Sequence, residues 1–172
     1  MNPIRNLEIE KLTLNIGAGK SQERLEKGVK LLRMLTGIDP VKTITKKRIP
    51  GWNLRPGLPV GCMITLRNGK LVSELISTFL KGKENLLEQL NFDNEGNVSF
   101  GIHEYIDIPT VKYSPEIGIM GFQICISLKR KGYRIKYRKE KRKKIPARQR
   151  ITRGEAIKFM QDKFGVKIKE EE

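Results

Sequence analysis

The chain has 172 residues, with 35 Lys and Arg against 19 Asp and Glu, for a net charge of +16 and a pI near 10.0. A pI above ~9 is the electrostatic footprint of a protein that handles polyanions. No run approaches the ~18 apolar residues of a membrane span, Met1-Asn2-Pro3-Ile4-Arg5 lacks an apolar signal region, and two distant cysteines, Cys62 and Cys125, argue against a disulfide framework or a Cys-rich zinc site and fit a reducing cytosol.

The length predicts one domain over 1–172, enough to bury about 70% of its unfolded surface. Leu7 to Ile16 reads as a strand, because Leu12, Leu14 and Ile16 alternate with Lys11, Thr13 and Asn15. Gly17-Ala18-Gly19 breaks it. Ser21 then caps a helix running to about Thr36, with Leu25, Val29, Leu32 and Leu35 on one face and Gly37 as the stop. Gly28 costs that helix about 1 kcal/mol against Ala, so packing has to hold it. Val41 to Lys47 is β-rich. Arg48 to Pro59 carries three prolines and two glycines and is a loop.

Val60 to Arg67 is the next strand, closed by the turn residues Asn68-Gly69. Lys70 to Leu80 is an amphipathic helix, and a further helical turn or two spans Glu84 to Leu90. Asn94 to Asn97 is a turn. Val98, Phe100 and Ile102 form a strand that Ile106 and Ile108 extend to Pro109. Ile117 to Leu128 is the clearest strand, with Phe122, Ile124, Ile126 and Leu128 facing inward. A last helix runs from Thr152 to Phe164, opened by a Thr152/Glu155 capping box and closed by Gly165. These elements predict an α+β fold: a mostly antiparallel sheet with helices packed on one face, plus a long basic loop (46–59) and a basic arm (129–150).

The charge is concentrated. Residues 129–150 hold thirteen basic side chains and a single acid, Glu140, and no acid lies between Asp39 and Glu74. Such a run can be a solvated face or a disordered tail. Here Tyr133, Ile135, Tyr137 and Ile145 are interleaved with the cations. Arg grips phosphate bidentately and Tyr stacks on bases, so the mixture suits RNA. A membrane surface fits less well, because the apolar residues form no wide stripe.

The one catalytic-looking motif is Gly17-Ala18-Gly19-Lys20-Ser21, similar to the tail of a nucleotide-binding phosphate loop. The full motif needs a glycine where Leu14 stands. Two readings remain: a turn whose free N–H groups and helix dipole meet a phosphate, or simply a tight turn. His103 reads as a surface residue, and as the lone histidine it would have to serve any zinc site or triad by itself. Asp93, Glu95, Asp107 and Glu116 are scattered, and the serines have no nearby base. No enzyme, metal or cofactor is expected. Trp52, flanked by Arg48 and Arg55, is either a core anchor or a stacking group.

The stretches Ile9 to Gly19, Leu35-Thr36-Gly37 with Pro40-Val41, Lys46 to Ile49, Leu54 to Cys62 with Thr65-Leu66-Arg67, Gly96-Asn97, Phe100 to Glu104 and Gly121 to Ile124 occur in the order and spacing of a known family. Together they resemble the universal large-subunit ribosomal protein five family. The basic arm and the Ile151–Ile168 segment look like the archaeal and eukaryotic branch, and the short N-terminus leans archaeal. The resemblance implies a cytoplasmic, non-catalytic constituent of the large subunit, in the central protuberance. Its implied partners are 5S rRNA, large-subunit rRNA, P-site tRNA, neighbouring central-protuberance proteins and a small-subunit head protein reached through an intersubunit bridge.

The 5S rRNA-binding residues expected here are Asn15, Gly17, Gly19, Lys20, Thr36, Lys46, Lys47 and Arg67. The tRNA-facing loop is expected to use Arg48, Trp52, Asn53 and Arg55. The rRNA-binding arm is expected to use Lys129, Arg130, Lys131, Arg134, Lys136, Arg138, Lys141, Arg142, Lys143, Lys144, Arg148 and Arg150, unfolded or extended until bound. Where the family often has Gln after Thr36-Gly37, this chain has Ile38, which cannot donate a hydrogen bond from its side chain.

Overall fold

Alternating polarity produces the first strand, β1 (Leu7–Gly17), with Leu12, Leu14 and Ile16 buried. The computed structural model describes residues 5–169; Met1 to Ile4, which carry most of the N-terminal motif noted above, lie outside the described residues. After β1 come α1 (Gln22–Thr36), β2 (Val41–Ile44), β3 (Pro59–Leu66), α2 (Gly69–Lys81) and β4 (Leu86–Glu88). Then follow β5 (Val98–Ile102), β6 (Phe122–Arg130), α3 (Arg153–Phe164) and β7 (Lys167–Lys169). A five-stranded sheet has the order β2-β3-β1-β6-β5, and β4 pairs with β7 in a second, two-stranded sheet. The architecture is α+β, with an antiparallel main sheet.

By contacts the chain divides into two compact units. One, here the loop unit, comprises 13–66 and 101–124. The other, the arm unit, comprises 1–12, 67–100 and 125–172.

In the loop unit, Ser21 caps α1 by accepting the Arg24 N–H at 3.2 Å, and Gly37 ends it at φ 70°. Leu25, Leu31 and Leu32 are fully buried on this helix. Each contributes roughly 1.5–3 kcal/mol, which outweighs the ~1 kcal/mol cost of Gly28. Gly28 itself is buried: a Cβ there would lie 3.2 Å from Cys62 Sγ and from Ile16 Cγ2. The helix packs this close only because that position has no side chain. The buried face therefore centres on Gly28 and Leu31, while Val29 and Leu35 are half-buried. Strand β2 pairs antiparallel with β3, from Val41 opposite Met63 to Ile44 opposite Pro59, with an irregularity after Thr43.

Three expectations are corrected. Strand β5 stops at Ile102, and Tyr105–Asp107 is a 3-10 turn. Tyr105 and Ile108 are wholly buried while Ile106 is exposed, a spacing of three that a strand cannot provide. Strand β6 starts at Phe122 instead of Ile117, because Ile117 and Gly118 both donate to the Ser114 carbonyl in a turn with Gly118 at φ 70°. Of the helical turn or two expected over Glu84 to Leu90, only a 3-10 turn at Gln89–Asn91 forms. Glu84 and Asn85 take left-handed conformations (φ 55° and 56°), and Leu86–Glu88 then pairs parallel with Lys167–Lys169.

The arm unit is held around Val72, Ile76, Phe79, Phe92 and Met160, all nearly inaccessible. The Thr152/Glu155 capping box opens α3, and Gly165 at φ 65° closes it. Among the described residues, no helix is long and apolar enough to cross a membrane.

Candidate nucleic-acid interface

The glycine turn lies in the loop unit. Asn15, half-buried on β1, donates from Nδ2 to Gln123 Oε1 at 3.4 Å. Gly19 sits at φ 59°, a conformation that favours glycine. The Ala18 and Gly19 N–H groups both donate to the Val60 carbonyl, at 2.8 and 3.0 Å. These are N–H groups that a phosphate would need, and the fold already uses them. The expected free N–H groups are thus not offered at Ala18 and Gly19, and a phosphate loop cannot form there. Lys20 remains exposed. The Thr36 hydroxyl is also committed, donating to the Leu32 carbonyl at 2.7 Å and accepting the Ile38 N–H at 3.3 Å, while the Ile38 side chain is exposed.

The basic loop is an ordered extension of the β2–β3 hairpin. At its base the Thr45 N–H and hydroxyl both donate to the Leu58 carbonyl, at 2.9 and 2.6 Å, and Gly57 N–H donates to Thr45 O at 2.9 Å. Further out, Ile49 and Leu54 exchange N–H···O bonds of 3.0 and 3.1 Å. Pro50–Trp52 forms a 3-10 turn, and Asn53 reverses the chain at φ 51°. Leu54 is only 7% exposed and pins the tip to the unit's core. Lys46, Lys47, Arg48 and Arg55 all reach solvent, and among the described residues none of them forms an ion pair. Trp52 is 70% exposed, which removes the core-anchor alternative and leaves a ring presented to solvent.

In the arm unit, Arg67 is exposed at the end of β3. Lys129 lies 3.8 Å from Glu8. The arm is folded, contrary to the unfolded or extended expectation. Tyr133–Lys136 and Ala147–Gln149 are 3-10 turns. Tyr133 OH donates to the Gln149 carbonyl at 2.9 Å, closing the loop between them, and Arg138 Nε donates to Lys141 O at 2.8 Å. Lys131, Arg134, Lys136, Arg138, Lys141, Arg142, Lys143, Lys144, Arg148 and Arg150 are exposed. Arg130 differs from them: it is 5% exposed and pairs with Glu155, so its guanidinium faces protein. We assign Arg130 to the architecture of the arm instead of to RNA contact.

Beneath the arm is a cavity of about 720 Å³. Glu10 and Lys11 of β1 and Glu95 and Asn97 of the turn before β5 line it together with arm residues. Sequence reasoning missed these four. The alternation in β1 put Lys11 on the polar face, but nothing in the sequence paired that face with residues more than a hundred positions away. Burial, with the Glu10 carboxylate second, pushes the Tyr137 phenol above its ordinary pKa; burial is also the first cause for Tyr133. Burial pushes the Cys62 thiol up to about 11. Among the described residues, no group of three or more His, Cys, Asp or Glu is placed to hold a metal ion.

Residues 2–55 match the family model described as ribosomal protein L5, and residues 59–159 match the model of the C-terminus of the same ribosomal family. The chain is 44% identical over 167 residues to large ribosomal subunit protein uL5 of Nanoarchaeum equitans, covering 97% of this chain and 98% of that protein. It is 46% identical over 169 residues to uL5 of Sulfolobus acidocaldarius, covering 98% and 94%. The chain belongs to the ribosomal L5 family. Members are structural ribosomal proteins and not enzymes, and rRNA binding is general to the family. The similar relatives are archaeal, in keeping with the branch suggested by the arm. The arm (129–150) and the opening of α3 fall inside the C-terminal family match, so they are part of the L5 framework in this chain.

Proposed function

We propose that this L5-family protein binds 5S rRNA and helps attach it in the central protuberance of the cytoplasmic large ribosomal subunit. Its contacts there are large-subunit rRNA, neighbouring proteins, the elbow of P-site tRNA and a small-subunit head protein. The observation that carries this reading is the β2–β3 loop: a hydrogen-bonded, core-pinned hairpin whose Lys46, Lys47, Arg48 and Arg55 are exposed and unpaired beside an exposed Trp52. Unpaired cations on a pre-ordered loop neutralise phosphates at little ordering cost, and a neighbouring ring adds base stacking. Asn15, Lys20 and Arg67 supply further polar and cationic contacts, and the arm supplies a second cationic surface. No bond is made or broken; binding is electrostatic and read by shape.

The test is competition between 5S rRNA and an unrelated stem-loop for the full chain, repeated with the double variant Asn15→Ala/Lys47→Ala. The expected result is preference for 5S rRNA, weakened in the variant with nearly unchanged thermal unfolding. Equal affinity for the unrelated RNA, or a variant impaired only in folding, contradicts the proposal.

A further inference from the structure

The cavity beneath the arm is chemically divided. Lys11, Lys136, Arg142, Lys143, Lys144 and Arg150 bring six cations to its wall, against the carboxylates of Glu10 and Glu95. Tyr133 and Tyr137 add two rings, and Leu128 and Ile151 an apolar patch. At about 720 Å³ it falls within the ~300–1,000 Å³ range of small-ligand sites. That space suits one monomer unit of a polymer and not a helix.

A bare phosphate would use the cations and leave the rest of the wall unmatched. A nucleotide uses all of it. Its phosphate pairs with Lys and Arg, and its base lies against a ring or the apolar patch. Its ribose hydroxyls and amino groups donate to carboxylates, as a phosphate cannot. The Tyr133 ring is fixed beforehand by its hydrogen bond to Gln149 O. Tyr137 is 58% exposed, with Lys136 Nζ 5.8 Å from its ring centre, so a ring and a cation stand together at the wall.

We propose that this cavity receives one unstacked nucleotide of an RNA strand, with its phosphate among Arg142, Lys143 and Lys144 and its base against Tyr137. A strand fits better than a free nucleotide. Arg134, Arg138, Lys141 and Arg148 are exposed on the same arm but outside the cavity lining, where the flanking phosphates of a chain would find them. This inference rests on the RNA-binding function proposed above and adds to it a site that selects unpaired nucleotides.

The experiment uses the full chain and fluorescence anisotropy. The probes are a labelled RNA hairpin carrying one unpaired nucleotide, made with each of the four bases, and its fully paired counterpart. The expected result is about tenfold tighter binding of at least one bulged hairpin, the scale of one stacked base. Tyr137→Ala erases that preference, and Tyr137→Phe retains it. Lys47→Ala, in the other unit, weakens both RNAs equally. Because Tyr137 is largely exposed, an unchanged melting temperature is expected for both Tyr137 variants. Tight binding of both hairpins without preference, or a preference that survives Tyr137→Ala, overturns the nucleotide site and leaves the RNA-binding function standing. Loss of both hairpins overturns the two together. Displacement of the bulged hairpin by polyglutamate as readily as by unlabelled hairpin would instead make the cavity a site for an acidic protein segment, which also overturns it.

Discussion

Arg130 Nη2 donates to Glu155 Oε1 at 2.5 Å, and the same carboxylate accepts the Thr152 N–H through Oε2 at 3.0 Å. One side chain thereby joins the last residue of β6, where the arm departs, to the first turn of α3, where the arm returns. Arg130 Nε is buried without a partner among the described residues, so the guanidinium depends on this single carboxylate. Only the Arg130 end of the pair is buried (5% exposed, against 44% for Glu155), so removing Glu155 strands a buried charge, whereas removing Arg130 leaves a carboxylate that reaches water. Glu155→Ala is therefore expected to destabilise the chain by about 2–4 kcal/mol, counting the lost cap. Arg130→Met is expected to cost no more than about 1 kcal/mol. Urea unfolding of both variants checks this; the opposite ranking would show that the pair does not hold the arm.

Acid is expected to weaken the arm unit. Burial raises the Glu155 pKa, but the Thr152 hydrogen bonds and Arg130 outweigh it and hold the carboxyl below its usual 4.5. Asp93 is likewise raised by burial but held below its usual 3.8 by Asn97 and by the N–H groups of Glu95, Asn97 and Gly96. Both groups bind protons more readily in the unfolded chain. Their stabilisation is therefore full above those usual values and is lost as pH falls through the lower folded ones. Thermal unfolding followed from about pH 6 to pH 3 should show the loss, and Asp93→Asn and Glu155→Gln should each flatten it. An equally steep fall in both variants would place the acid sensitivity elsewhere.

The two cysteines should differ in reactivity. Cys62 is fully buried beside Gly28, with its thiol pushed up to about 11, whereas Cys125, its thiol also raised by burial, is only half-buried and open to reagent. Since the thiolate is the reactive form, iodoacetamide near pH 8 should label Cys125 ahead of Cys62 in the folded chain and both at similar rates in urea. Peptide mass mapping reads the order, and preferential labelling of Cys62 would contradict the packing of α1 on β3.

The loop separates binding from stability. Lys46, Lys47 and Arg48 are exposed and unpaired, so replacing all three with Ala should change unfolding by no more than about 0.5 kcal/mol each while weakening RNA binding. Leu54→Ala should behave differently, costing about 2–4 kcal/mol because it removes the side chain that pins the tip. A triple variant that unfolds early, or a Leu54 variant of native stability, would refute this division.

Much of the framework was legible in the sequence because it obeys local rules. The alternation of β1, the Ser21 and Gly37 caps of α1, and the Thr152/Glu155 box each signal an element within a few residues of itself. The misses share a cause. Ile106 and Ile108 continue a period-two pattern, but whether Tyr105 is buried depends on Ser114 and not on its neighbours. Leu86 to Glu88 becomes a strand only because Lys167 to Lys169 lies beside it. In the candidate interface, the cationic loop and arm were visible as charge runs. The burial of Arg130 and the closing of Ala18 and Gly19 N–H groups onto Val60 were not visible, since both are set by partners distant in sequence.

The central claim is that exposed, unpaired Lys and Arg of the loop and arm bind an RNA backbone by neutralising its phosphates. The most direct measurement is the affinity of the full chain for 5S rRNA across a salt series. With ~6 phosphate contacts, log affinity against log salt should fall with a slope of about −4 to −5. Replacing Lys46, Lys47 and Arg48 with Ala should make that slope shallower by about 2. A response flat in salt, or a slope unchanged in the triple variant, would contradict it.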